Sequence, residues 1–98
     1  MSQIRLLQVH GPASAAGTVL GTQNPTETGT WAEVTGLGTI PPGGAMLDIS
    51  ANAGAIRFAV MPPNTIATPP PHNGEIVQNG AARRQHIPTG SRVWTRLT

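Results

Sequence analysis

The sequence predicts an all-β domain: a small antiparallel β-sandwich of jelly-roll-like architecture, with about eight short strands and long loops rich in proline and glycine. Apolar residues recur with period two in several short runs, as half-buried strands require. The 12 glycines and 10 prolines interrupt the chain too often for helices of normal length. Because no segment could serve as a crossover helix, a parallel βαβ architecture is excluded.

The clearest strands flank a short hairpin. In Ala55–Met61 every second side chain faces the same side as Phe58, and Met46–Ala51 shows the same alternation. Asn52–Gly54 joins the two runs and supplies a glycine for a positive φ. Turn residues such as Asn-Gly and Pro-Gly separate the remaining runs. In chain order, the other predicted strands are Gln3–Val9, Gly17–Gly21, Thr30–Thr35, Glu75–Gln78, Arg83–Ile87 and Arg92–Leu97.

The domain organisation is simple. We expect one sandwich domain over residues 1–98, in which residues 1–12 form an N-terminal strand or arm and residues 61–73 form a Pro-rich loop. A domain of this size buries only about 60 to 70% of the surface that its unfolded chain exposes, so its own core is modest. The loop has two interpretations: a plain connection across the end of the sandwich, or an arm that docks on a neighbouring subunit.

Composition favours a protein that works within an assembly. The chain has no cysteine, which excludes disulfides and thiolate metal sites and makes subunit association the favoured supplement to a small core. Charged residues make up 10% of the chain, well below the usual share of about a quarter, and this suits a free monomer poorly. The amino-terminal segment lacks a signal-peptide pattern, and no apolar stretch approaches a membrane span. We expect a soluble protein, made in the cytoplasm, without membrane contact.

The sequence contains no constellation typical of catalysis. Glu27 and Glu33 flank a Gly/Thr turn, where solvation is the expected state of both carboxylates. A trio of Ser50, His86 and Asp48 can be written down, but no nucleophile elbow supports it. The histidines are isolated in sequence, so a metal would have to be bound across strands. We therefore predict no catalytic residue, no cofactor, no metal site and no enzymatic activity.

The C-terminal strand carries the most informative pattern. On a strand, Arg92, Trp94 and Arg96 share one face, and Val93, Thr95 and Leu97 share the other. If the aliphatic pair points inward, the indole stands outside between two cations. Three roles are open: a ring capped by arginine stems, an anchor in a protein interface, or a nucleic-acid contact, which the small net charge of +2 disfavours. The predicted interface residues are Arg92, Trp94, Arg96, Trp31, Met61, Pro62 and Pro63.

The second half of the chain resembles a known group of proteins. A strand with an Ile-Arg-Phe run is followed by a loop, a glycine-bounded step and a closing strand with Val-Trp-Thr-Arg. This pattern looks like the small β-sandwich accessory proteins of tailed bacteriophage virions and covers about half of the chain. The segments that carry the resemblance are Ala45–Ser50, Ala55–Ala59, Gly74–Gly80 and Ile87–Trp94.

The resemblance implies a bacteriophage structural protein located in the virion and assembled in the host cytoplasm. It implies a capsid decoration or cement protein, or another head accessory protein, that binds the shell surface as a homo-oligomer, with a trimer favoured. The implied partners are other virion structural proteins: the major capsid protein, or neck or tail proteins. It also implies no cofactor and no catalysis.

Two alternatives stay open from the sequence. One is a neck or tail accessory protein of the virion. The other is a β module that binds carbohydrate or single-stranded nucleic acid, with Trp31 and Trp94 as stacking platforms.

Overall fold

Eight strands form the fold, and the all-β prediction is confirmed. A computed structural model describes residues 1–10, 15–62, 69 and 74–98, and this described part contains no helix. Each predicted strand is present, with ends that differ by a few residues. The strands are β1 (Ser2–His10), β2 (Ala15–Gln23), β3 (Ala32–Val34), β4 (Ala45–Ala51), β5 (Ile56–Met61), β6 (Glu75–Val77), β7 (Ala82–Ile87) and β8 (Arg92–Leu97).

The strands pair into two open, four-stranded antiparallel sheets. Sheet A has the order β2-β1-β4-β7, and sheet B has the order β3-β8-β5-β6. A jelly roll also consists of two such sheets. In sheet A, β1 lies between β2 and β4, which is the place that the final strand takes in a jelly roll. The strand order is therefore that of a jelly roll in which this strand comes first in the chain instead of last.

Alternating side chains from both sheets form one core. In β4 every second residue is buried, and β5 and β8 contribute Phe58 and Val93 from the opposite sheet. Burying one such side chain fully contributes about 1.5 to 3 kcal/mol. The period-two pattern therefore predicts which strand residues are buried in the core as well as which segments form strands. The core residues of the two sheets and of the loop before β4 are Ile4, Leu6, Val34, Leu37, Ala45, Leu47, Ile49, Ala51, Ile56, Phe58, Val77, Ile87 and Val93.

One inward residue of β8 differs from the expectation. Leu97 is 38% exposed, whereas Thr95 is buried opposite Phe58. Leu97 is the last residue of the strand, and its amide donates to the carbonyl of Thr28 at 2.8 Å. Val93 and Thr95 therefore build the inner face of β8 as the alternation predicts, and only Leu97 stays outside the core.

The amino-terminal segment and the Pro-rich loop have different outcomes. Residues 2–10 form β1 inside sheet A, so the strand interpretation of the amino-terminal segment is the one observed. The Pro-rich loop begins at Met61, the last residue of β5, and continues to the exposed Pro62. Pro63 and most of the residues that follow it, up to residue 73, lie outside the described part of the chain. Within the described residues, no helix is long and apolar enough to cross a membrane.

Candidate interface on the outer face of sheet B

The outer face of sheet B collects both tryptophans and half of the arginines. Strand alternation turns Arg92, Trp94 and Arg96 of β8 outward, because Val93 and Thr95 point into the core. Strands β3 and β5 lie on either side of β8 and add their own outward side chains. We call this surface the Trp–Arg face, and its residues are Trp31, Glu33, Arg57, Ala59, Met61, Ile76, Arg92, Trp94 and Arg96.

The strand register arranges this face in three rows across the sheet. The first row runs through Trp31, Arg96, Arg57 and Ile76, since Arg57 lies opposite both Arg96 and Ile76. The second row joins Glu33, Trp94 and Ala59, and the third joins Arg92 and Met61.

Arg92 links the second and third rows. Its Nε and Nη2 donate to the two carboxylate oxygens of Glu33, both at 2.6 Å, in a bidentate pair. Hydrogen bonding from Arg92 holds the pKa of the Glu33 carboxyl below its usual value, and the same pairing raises the pKa of Arg92. The guanidinium also lies 5.4 Å from the centroid of the Trp94 ring. Glu33 thus fixes the cation that covers the indole.

Trp94 lies beside a buried position of the outer face. Its cross-strand neighbour Ala59 is only 4% exposed although it lies on the outer face, so larger side chains cover it. The indole Nε1 is buried and has no hydrogen-bond acceptor among the described residues. An unsatisfied buried donor costs about 1 to 3 kcal/mol, so the position of this ring is not explained by hydrogen bonding.

Trp31 reaches the face from the connection between β2 and β3, over residues 24–31. The guanidinium of Arg96 lies 5.8 Å from the centroid of its ring. Glu27 anchors the connection: its carboxylate accepts from Ser2 Oγ at 2.5 Å and lies 3.1 Å from the Met1 amine. The expectation that Glu27 is solvated is wrong, because this side chain is fully buried. The anchor joins the connection to the first residues of sheet A, four positions before Trp31.

The face carries the whole formal net charge of the protein. Three arginines and Glu33 give it a formal charge of +2, which equals the total. The other three arginines balance the other three carboxylates. Asp48 contacts Arg5 at 2.6 Å and Arg84 at 3.5 Å on the outer face of sheet A. Glu75 of β6 pairs with Arg83 of β7 across the edge of the sandwich.

The remaining predicted site residues divide into those on the face and those off it. Met61 lies opposite Arg92 and belongs to the face, whereas Pro62 follows the end of β5 and Pro63 is outside the described residues. The interface prediction left out four members of the face: Glu33, Arg57, Ala59 and Ile76. Alternation along β5 places Arg57 and Ala59 on the side of Met61 and could have identified both.

A cavity of about 240 Å³ adjoins the face at one end of the sandwich. Its walls are mostly apolar core residues, and its two charged residues, Glu33 and Arg92, bind each other. Its volume is below the range of about 300 to 1,000 Å³ that is typical of small-molecule sites. The residues that line it are Leu6, Glu33, Val34, Thr35, Leu37, Gly38, Ile40, Ile87, Ser91, Arg92 and Val93.

The trio considered for catalysis does not form a linked chain in the structure. Asp48 contacts arginines, and Nε2 of His86 lies 3.0 Å from the carbonyl oxygen of Gly43. Within the described ranges, no group of three or more His, Cys, Asp or Glu side chains could hold a metal ion. Comparison with protein-family models, curated proteins and solved structures finds no significant match.

Proposed function

We propose that this protein is a non-enzymatic structural protein of a tailed-bacteriophage virion, a capsid decoration or other head accessory protein that docks on a protein shell through the Trp–Arg face. The observation that carries the proposal is the arrangement of two indoles under two guanidiniums on one outward sheet face. Tryptophan and arginine are the residue types most enriched among interface residues that dominate binding energy. The sequence resemblance to virion accessory proteins supplies the virion context.

The order already present in the face supports docking of a rigid surface. Glu33 fixes Arg92 with two hydrogen bonds, and the guanidinium in turn covers Trp94. Side chains that are ordered before binding lose less conformational entropy when a partner arrives. A shell surface that matches this pattern would gain contact area without having to reorganise the face.

The size of the face supports association of several copies. The 18 strand residues of sheet B, at about 4.8 Å between strands and about 3.4 Å along each strand, span roughly 300 Å². A standard stable interface buries roughly 800 Å² on each partner. One face therefore supplies less than half of what a stable complex needs, and an oligomer would bring several faces to the shell at once. The low share of charged residues supports the same proposal.

The rival binding module is less well supported. A stacking platform for a base or a sugar needs an accessible ring face, and a guanidinium lies over each indole. A net charge of +2 is also small for a protein that follows a phosphate backbone. These two observations favour a protein partner.

Sedimentation with assembled shells tests the proposal. If the neighbouring genes encode a major capsid protein, the chain is mixed with particles made from that protein, and the occupancy of pelleted particles is measured. We expect wild-type binding to saturate and Trp94→Ala to weaken it by about 30-fold, the effect of losing one dominant contact. Val19→Ala, which trims an exposed side chain on sheet A, is the matched control and should bind normally.

Two further measurements separate binding from folding. Circular dichroism shows whether Trp94→Ala keeps its sheets, and Trp94→Phe, which retains an aromatic ring, should recover most of the binding. A genomic neighbourhood without virion genes, or wild-type protein that stays in the supernatant of particles, would overturn the proposal.

A further inference from the structure

We propose that Asn79 is a site of spontaneous deamidation that the folded chain holds in check, and that the modification occurs only when the turn between β6 and β7 detaches from the end of β4. This inference goes beyond the proposed function and does not rest on it, because the site is formed by two turns rather than by the Trp–Arg face. The reagent is water, and the product is a chain with one additional carboxylate.

The dipeptide Asn79-Gly80 has the chemistry that deamidation needs. The backbone nitrogen of Gly80 attacks the side-chain carbonyl carbon of Asn79, a C–N bond closes a succinimide ring, and the amide proton leaves with the side-chain nitrogen as ammonia. Water then opens the ring at either carbonyl carbon, which gives aspartate or isoaspartate without any oxidant or reductant. Glycine favours the attack because no side chain hinders the approach of its nitrogen. Both residues are exposed, so water has access to the ring.

The first observation is that the attacking nitrogen is engaged in the folded chain. The Gly80 amide donates to the carbonyl oxygen of Ala51 at 2.9 Å, and the Ala51 amide donates to the carbonyl oxygen of Ala81 at 3.1 Å. Ala51 is the last residue of β4 and is only 2% exposed. Because a buried carbonyl that loses its donor costs free energy, the hydrogen bond resists opening and holds the proton on the Gly80 nitrogen. The attack therefore requires this bond to break.

The second observation is that the side chain under attack is also held. Oδ1 of Asn79 accepts from the amide of Gly54, in the turn between β4 and β5, at 3.1 Å. The β6–β7 turn is closed by the Ala81 amide, which donates to the carbonyl oxygen of Gln78 at 2.9 Å, and Gly80 has a φ of 82° within it. We call the contacts of Asn79 with Gly54 and of Gly80 with Ala51 the turn clasp. Ring closure requires both reacting groups to leave the turn clasp.

The isoaspartate product would not restore the turn clasp. Its backbone runs through the former side chain of Asn79 and is longer by one carbon atom. The hydrogen bond that closes a four-residue turn depends on the length of the backbone between its donor and acceptor. Conversion is therefore a one-way change that leaves the β6–β7 turn detached from β4.

Incubation of the folded chain in mildly alkaline buffer tests the proposal. A synthetic peptide of residues 76–83 is the unrestrained reference, and a glutamate-specific protease cuts after Glu75 to separate Asn79 from the other asparagines before mass spectrometry. We expect Asn79 to convert at least about tenfold more slowly in the folded chain than in the peptide, because the reactive form requires local opening. Equal rates, or no conversion in the peptide, would overturn the proposal.

Two glycine variants show whether the opening is local. Gly54→Ala places a side chain at a φ of 102° and strains the turn that holds the Asn79 oxygen. Gly43→Ala is the matched control, with a φ of 88°, and at neither position would the added methyl group meet an atom within 4 Å. We expect conversion at Asn79 to be roughly fivefold faster in Gly54→Ala and to change by less than about twofold in Gly43→Ala.

Equal acceleration in the two variants would overturn the turn clasp, because conversion would then follow unfolding of the whole domain. The wild type in urea gives a second measurement that does not depend on either variant being folded. The rate at Asn79 should rise at urea concentrations below the unfolding transition followed by circular dichroism. A rate that rises only within that transition would also contradict local opening.

Discussion

The buried carboxylate of Glu27 gives the sharpest test of how this fold is held together. Replacing it by glutamine keeps the shape but removes the charge that faces Ser2 Oγ at 2.5 Å and the Met1 amine at 3.1 Å. The hydrogen bond from Ser2 to this charged group contributes about 1.5 to 3 kcal/mol, and glutamine can still make a weaker bond. Oε1 accepts no hydrogen bond from the described residues and contacts the Met1 amine as an ion pair. We therefore expect Glu27→Gln to lower the free energy of unfolding by about 2 kcal/mol.

Thermal unfolding followed by circular dichroism measures this loss. In a domain of this size each kcal/mol shifts the midpoint by about 4 to 8 °C, so the expected drop is roughly 8 to 16 °C. The matched control is Glu75→Gln, because Glu75 and its partner Arg83 are both about half exposed and such pairs contribute less than about 1 kcal/mol. Equal unfolding midpoints for Glu27→Gln and Glu75→Gln would refute the reasoning. The free-energy cost of removing the Glu27 carboxylate from water would then equal the stabilisation from its contacts.

Two further predictions concern the Trp–Arg face and its edge. Because the folded pKa of Glu33 lies below its ordinary value of 4.5, its pairing with Arg92 stabilises the protein above that pH and is lost as pH falls through the folded pKa. The stability difference between wild type and Glu33→Gln in urea titrations should shrink on acidification, and a constant difference from pH 7 to pH 3 would argue against the pairing. Gly74→Ala should destabilise the protein more than Gly43→Ala. Both glycines have a positive φ, so both substitutions strain the backbone, but only at Gly74 would the new methyl group also meet the carbonyl oxygen of Phe58. Equal unfolding midpoints for the two alanine variants would show that the backbone near Phe58 shifts to make room for the added methyl group.

Local patterns in the sequence were sufficient for the strands and for part of the face. Alternation along β8 predicts that Arg92, Trp94 and Arg96 share a side, because the side of a strand depends only on spacing within it. The same rule applied to β5 would have added Arg57. Cross-strand neighbours were not predictable, since the register that sets Arg57 opposite Arg96 depends on how the two sheets close around their core.

The burial of Glu27 shows where sequence reasoning ends. Its partner Ser2 is 25 positions away, and nothing in the residues between them indicates that the connection after β2 returns to the start of β1. A glutamate beside glycine and threonine is usually solvated, and only the path of the chain makes this one an anchor. The same applies to Leu97, which ends its strand beside Thr28 instead of joining the core.

The position of β8 in the chain has a consequence for the order of folding. It is the last strand in sequence but lies between β3 and β5 in sheet B, and β3 pairs with no other strand in the described structure. Strands β5 and β6 pair directly, but β3 joins sheet B only through β8 in the described structure, so this sheet is completed only after β8 has been synthesised. The residues of the Trp–Arg face are therefore brought together late, and a chain that stops before β8 lacks the complete face.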